Sequence, residues 1–210
     1  SGFLQYQTRY YLPHQEMIRD HLTFKGIYAK RRDQIRALFD AQPGPVITVH
    51  MRRGDFGTGI FFIAPEVWYI DWLNTLREEY PNFSVYIASD DIDAVKPAFS
   101  DYPLLTEADL PKLDLAHDFA TDFIALTQGD AIAISNSSFS FAASMLNTRA
   151  KHFVRPVLER ECLEFFDPWN SPVLLRGTEA EDIGEHVMSR EAMGRSKYRK
   201  AKLKKLLKWL

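Results

Sequence analysis

The chain has 210 residues and 24.3 kDa, is 46% hydrophobic and 26% charged with a formal net charge of -2, and so is neither a disordered nor a fibrous polymer. Its lone cysteine, Cys162, forms no internal disulfide and suits a reducing compartment, and no transmembrane helix or signal peptide is legible, so a cytoplasmic location is expected. Residues 194–210 hold eight of the 26 basic residues and no acid, which leaves 18 bases against 28 acids elsewhere, a net of -10 that argues against nucleic-acid binding through a general basic surface.

In chain order, the first 40 residues have helical spacing, with a break near Lys25-Gly26, and Gln42-Pro43-Gly44-Pro45 ends that region. Short β-branched runs then alternate with amphipathic stretches. Strands are expected at Val46 to Val49, Ser84 to Ala88, Ala131 to Ser135 and, more weakly, Lys151 to Val154. Helices are expected at Pro65 to Glu79, Asp91 to Phe99, His117 to Gln128 and Ser138 to Leu146. This βα alternation predicts one α/β domain with a doubly wound parallel sheet over residues 1–193, followed by a basic appendage at 194–210. Ligands of such sheets sit at the carboxyl ends of the strands, and three of those ends are chemically unusual.

The first strand runs into His50-Met51-Arg52-Arg53-Gly54-Asp55. Strand alternation puts His50 and Arg52 on one face, where they can grip one anion, while Gly54 permits a sharp turn or a close approach. A surface ion pair between Arg53 and Asp55 is the plainer alternative. After the second strand, Ser89-Asp90-Asp91 is suited to capping the next helix, and alternatively to orienting His50 and Arg52; two carboxylates without a third ligand make a weak metal signature. The third strand ends in Ser135-Asn136-Ser137-Ser138-Phe139-Ser140. One serine suffices as an N-cap, and the surplus of donors at a helix N-terminus points to phosphate. On the preceding helix, Asp118 and Asp122 lie four apart; one of them, facing the rim of the sheet, can accept the paired N–H donors of a guanine edge.

Taken together, His50-x-Arg52-Arg53-Gly54-Asp55, Ser89-Asp90-Asp91, and Asp122-Phe123 leading through Leu126 into Asn136-Ser137-Ser138-Phe139-Ser140 resemble the GDP-fucose fucosyltransferases. The α-1,2 family, glycosyltransferase family 11, is the nearest, with core α-1,6 and nodulation fucosyltransferases more distant. The resemblance spans roughly residues 3 to 155 and includes the aromatic, Gln-rich lead-in from Phe3 to Ile18. It implies the Rossmann-like nucleotide-binding half of a GT-B-like glycosyltransferase, an inverting reaction, GDP-fucose as donor, and no metal ion or other cofactor. It assigns Arg52 to the β-phosphate, His50 to the nucleotide, Asp122 to guanine, and Ser137 and Ser138 to the diphosphate, with Arg53, Asn136 and Phe139 beside them. Asp90 and Asp91 match a supporting acidic pair.

The departures from that family are specific. Where core α-1,6 enzymes carry a carboxylate base, this chain has Ile60 among Gly59, Phe61 and Phe62, so Asp55 becomes the nearest candidate base and Glu66 a weaker one. A Gly-Asn-Gln element and the aromatic acceptor side are missing from these 210 residues, which therefore resemble one part of a two-part enzyme. In the tail, Leu203, Leu206, Leu207 and Leu210 share a helical face, lysines surround it and Trp209 adds an anchor. That pattern fits either a peripheral contact with an anionic membrane surface, on its inner face, or a terminal helix packed on its own domain. The expected function is transfer of fucose from GDP-fucose to a glycan acceptor hydroxyl, the 2-hydroxyl of galactose first. The alternatives are another linkage, another GDP-sugar, and a non-catalytic sugar-nucleotide or glycan-binding module.

Overall fold

The computed structural model describes residues 7–54, 56–57 and 62–171. Six strands form one sheet: β1 (Val46–Met51), β2 (Ser84–Ser89), β3 (Leu104–Leu105), β4 (Ala131–Ala133), β5 (His152–Val157) and β6 (Cys162–Phe165). The spatial order is β3-β2-β1-β4-β5-β6; β1 to β5 are mutually parallel, and β6 returns antiparallel beside β5. The order reverses between β1 and β4, which opens a crevice at their carboxyl ends. This is the expected doubly wound α/β architecture.

Helices α1 (Gln15–His21), α2 (Gly26–Asp40), α3 (Glu66–Leu76), α4 (Ile92–Val95), α5 (Ala120–Leu126) and α6 (Ser138–Leu146) complete the described residues, with short 3-10 turns between them. Alternation along the strands divides the core. Ile47, Val49 and Met51 of β1 join Val85 and Ile87 of β2 against the aromatic face of α3, built from Trp68, Tyr69, Trp72 and Leu73. Val46 of β1, Tyr86 and Ala88 of β2, and Ile132 and Ile134 turn the other way, onto Ile35 and Phe39 of α2, Ile124 to Leu126 of α5, and Ala143 of α6. The central strands are buried on both faces, as a parallel sheet requires.

The helices expected at Pro65 to Glu79 and His117 to Gln128 span Glu66–Leu76 and Ala120–Leu126, and the strand expected at Ala131 to Ser135 ends at Ala133; two further boundaries differ for local reasons. The helix expected from Asp91 to Phe99 is α-helical only through Val95 and continues as a 3-10 turn over Lys96–Phe99, because Pro97 cannot donate an intrahelical hydrogen bond. The strand expected to stop at Val154 runs on to Val157 and tolerates Pro156, since the register with β4 ends at Val154 and Pro156 meets only β6. Among the described residues no helix is long and apolar enough to cross a membrane. The basic stretch 194–210, and the domain boundary expected before it, lie outside the described residues.

Candidate active site

The crevice between β1 and β4 gathers two of the three polar strand ends. His50, the fifth residue of β1, points to the α5/α6 side and is 4% exposed. Its Nδ1 lies 2.8 Å from Ser135 Oγ, and its ring packs against Phe139 of α6 with centroids 5.2 Å apart. Burial pushes the imidazole pKa down to about 3; Asp90 opposes this, while Arg52 and Arg53 add to it. His50 is therefore neutral near pH 7. It serves the site as a dipole and not as a cation.

Beyond β1 the two adjacent arginines part. Arg52 stays at the strand end, its side chain 36% exposed, with Nε 3.4 Å from Asp90 Oδ2 and the guanidinium 5.9 Å from the Phe56 ring centroid. Arg53, expected beside the donor, turns instead to the α3 side: it pairs with Glu66 at 2.7 Å and donates to the carbonyls of Arg52 and Ala64. Arg53 is thus paired with Glu66, which opens α3, while the ion pair foreseen with Asp55 falls on a residue outside the described ones. Asp55 and Ile60 lie outside the described residues.

The acidic pair after β2 divides as well. Asp91 caps α4, accepting from the Ala94 amide at 3.3 Å. Asp90 reaches across to the loop after β1, where Oδ1 accepts the Arg53 amide at 2.7 Å and Oδ2 accepts the Gly54 amide at 2.8 Å. One carboxylate so holds the backbone of that loop and the stem of Arg52. Gly54 leaves room for this approach, because a Cβ there would displace Asp90 Oδ2. Ser89 adds a 2.7 Å hydrogen bond from its hydroxyl to the Met51 carbonyl.

Opposite stands the N-terminus of α6. Ser137 is its N-cap, its hydroxyl accepting the Phe139 amide at 3.3 Å, so this serine does the ordinary work of a cap. Ser138 is exposed at the first helical position, Asn136 is buried, and Ser140, fully buried, donates to the Ser137 carbonyl. The first-turn amides of Ser138 and Ser140 have no intrahelical acceptor and carry the positive end of the helix dipole.

Asp118, expected on the same helix, lies exposed in the turn before α5, whereas Asp122 on α5 faces the sheet and accepts a 2.9 Å hydrogen bond from Tyr86 of β2. Burial raises the Asp122 carboxyl to about 7; Glu107 adds to the shift, and the Tyr86 hydroxyl and the Ser89 backbone work against it. An aromatic cluster links α5 to α6, with Phe139 meeting Phe123 at 5.3 Å and Phe119 at 6.0 Å. Phe119 is 58% exposed and lies parallel to His117, an apolar surface beside the crevice.

His50 thus contacts both Ser135 and Phe139, Arg52 and Asp90 adjoin it through the loop, and Asp122 stands on the same side of the sheet with Tyr86. Arg53 and Asp91 point elsewhere. Tyr86 and Ser135, as partners of Asp122 and His50, are the additions; strand alternation that puts Tyr86 on one face with Ala88 is the signal that marks the first. No group of three or more potential metal ligands occurs among the described residues.

Comparison with known proteins places the chain in a family. The family model for glycosyl transferase family 11 matches residues 1–157. The α-1,2-colitosyltransferase of Escherichia coli is 29% identical over 178 residues, which cover 80% of this chain and 58% of that protein, so the chain spans less than two thirds of this curated relative's length. Among solved structures, NodZ α-1,6-fucosyltransferase co-crystallised with GDP aligns with a TM-score of 0.43 at 15% identity, over 66% of this chain and 47% of that one. POFUT1 in complex with GDP-fucose aligns with a TM-score of 0.40 at 14% identity, over 60% and 46% of the respective chains. With residues 1–157, most of its length, matched by one family model, this chain belongs to glycosyltransferase family 11.

Proposed function

We propose that the protein transfers fucose from GDP-fucose to a glycan hydroxyl, the 2-hydroxyl of galactose, with inversion and without a metal ion. The observation that carries this reading is the meeting of the His50-x-Arg52 strand end with the N-terminus of α6 across the switch point, through His50, Ser135 and Phe139. Expulsion of GDP from an oxocarbenium-like sugar builds negative charge on the β-phosphate. Fixed donors aimed there stabilise the transition state more than the ground state. Arg52 supplies the permanent charge, with the first-turn amides of α6 and the hydroxyl of Ser138 as neutral donors. Asp122 accepts the paired N–H groups of guanine, and His50 gives one further neutral hydrogen bond to the nucleotide. Asp90 sets the loop from which Arg52 projects. The Arg52 guanidinium and the helix dipole take the place that a divalent cation holds in metal-dependent transferases.

The test is calorimetric titration of the chain with GDP, with UDP as control, in EDTA. Selective GDP binding is the expected result, and equal affinity for UDP overturns the assignment of Asp122. Turnover of GDP-fucose with a β-galactoside then tests the transfer itself. A second reading, in which another GDP-linked sugar is the donor, is favoured by the colitosyltransferase relative, whose name specifies a colitosyl group in α-1,2 linkage. Competition between the two sugar nucleotides for one transferase activity separates the readings.

A further inference from the structure

We propose that Ser135 fixes the tautomer of His50, holding the imidazole proton on Nε2 so that a neutral N–H donor faces the nucleotide. The inference rests on the nucleotide site proposed above. Both residues are buried, with His50 4% and Ser135 5% exposed, and 2.8 Å separates Nδ1 from Oγ. Two arrangements of hydrogens fit that distance. If Nδ1–H donates to the serine oxygen, the serine hydrogen has no acceptor among the described residues, and Nε2 is a bare acceptor as well. If the serine hydroxyl donates to Nδ1, only Nε2–H is left for an outside partner. The second arrangement leaves fewer buried polar groups unpaired and is the one that folding favours.

The surroundings close the other options. Phe139 packs on the imidazole at an interplanar angle of 41° and hinders a ring flip that would exchange the two nitrogens. Double protonation is disfavoured by burial and by the charges of Arg52 and Arg53, against the opposing pull of Asp90. Ser135 therefore acts on direction: it turns an ambivalent ring into a donor whose strength does not vary around neutral pH. Such a donor recognises an acceptor atom, either a phosphate oxygen or an acceptor on the base edge. As Ser135 acts through His50, it is a positioning residue.

The experiment is long-range proton–nitrogen NMR on the full chain labelled with ¹⁵N-histidine, without nucleotide, the His50 signals being assigned by their loss in His50→Gln. The expected pattern is protonation at Nε2, unchanged between roughly pH 5 and 8. Ser135→Ala is expected to mix the tautomers and weaken GDP binding about five- to tenfold, as the loss of one hydrogen bond implies; Ser135→Thr, which keeps the hydroxyl, restores both. Guanosine and pyrophosphate titrated separately show whether base or phosphate loses the contact. A proton on Nδ1 in the wild type overturns the proposal, as does an unchanged tautomer in Ser135→Ala. Should the wild type bind no GDP, the nucleotide reading fails, while the tautomer is still read in the free protein.

Discussion

Replacing Asp90 with alanine removes the acceptor for two backbone amides, at 2.7 and 2.8 Å, and an ion-pair partner of Arg52. Each hydrogen bond to an ionised carboxylate contributes about 1.5–3 kcal/mol. Two such bonds at the lower end amount to about 3 kcal/mol; the Asp90 side chain is 25% exposed, so water reaches the released amides and offsets part of this, which leaves about 2 kcal/mol for the whole clamp. In a chain of this size that lowers Tm by about 4–8 °C in calorimetry. GDP affinity falls about tenfold or more, since Arg52 must then be ordered at the expense of binding energy. Asp90→Asn keeps one oxygen and turns an NH₂ group towards an amide donor, so an intermediate loss is expected. Gly54→Ala attacks the same clamp from the other side, its Cβ displacing Asp90 Oδ2. The double variant should consequently be little worse than either single one, a coupling of about 1 kcal/mol or more. Strict additivity, or an Asp90→Ala protein with unchanged Tm and GDP affinity, refutes the clamp.

Arg52→Ala is expected to lose at least about tenfold in transfer rate, the equivalent of one charge-assisted hydrogen bond, and unchanged turnover would remove the central residue of the proposed site. Glu66→Gln should lower Tm by about 2–6 °C by leaving Arg53 half-paired, with GDP affinity within about twofold, because that ion pair stands on the α3 side of the sheet. For Asp122, the folded carboxyl titrates at about 7, above its unfolded value of 3.8, so the folded state holds a proton that the unfolded chain has lost. Stability accordingly declines as pH rises from about 4 to 7, and Asp122→Asn flattens that slope in pH-dependent thermal melts. Guanine needs the ionised carboxylate, so GDP binding tightens as pH rises to about 7 and releases a proton below it; Tyr86→Phe shifts this profile to higher pH. Calorimetry in buffers of different ionisation enthalpy reads the proton directly. Finally, deletion of residues 195–210 should abolish co-sedimentation with anionic liposomes if the basic tail is a membrane contact.

The parallel core was legible because its strands are β-branched runs buried on both faces, a pattern that needs no knowledge of partners; β1, β2, β4 and β5 all lie on or within a few residues of the expected positions. Strand β3, only Leu104–Leu105, is too short for any periodicity to register, and β6 is an edge strand that reverses after Glu161, whose φ of 54° closes the turn from the 3-10 segment Leu158–Arg160. Neither carries a local signal as strong as its pairing with a neighbour. The site shows the same division. Residue types and their place at strand ends marked His50, Arg52 and the Asn136-Ser137-Ser138-Phe139 segment, since anion-binding chemistry belongs to few side chains and the sheet topology dictates where they collect; Asp122 was marked by its place on the preceding helix. The fate of each neighbour was a matter of tertiary structure. Arg52 and Arg53 are alike in charge and one residue apart, yet Asp90 holds one at the crevice and Glu66 draws the other behind the sheet. Asp90 and Asp91 are identical in chemistry, yet one organises the loop after β1 and the other caps a helix. Composition and periodicity thus settle which groups arrive at the carboxyl edge, because they depend on the chain alone; the partners that Arg53 and His50 take lie 13 and 85 residues away, and only the folded sheet brings them within hydrogen-bonding distance.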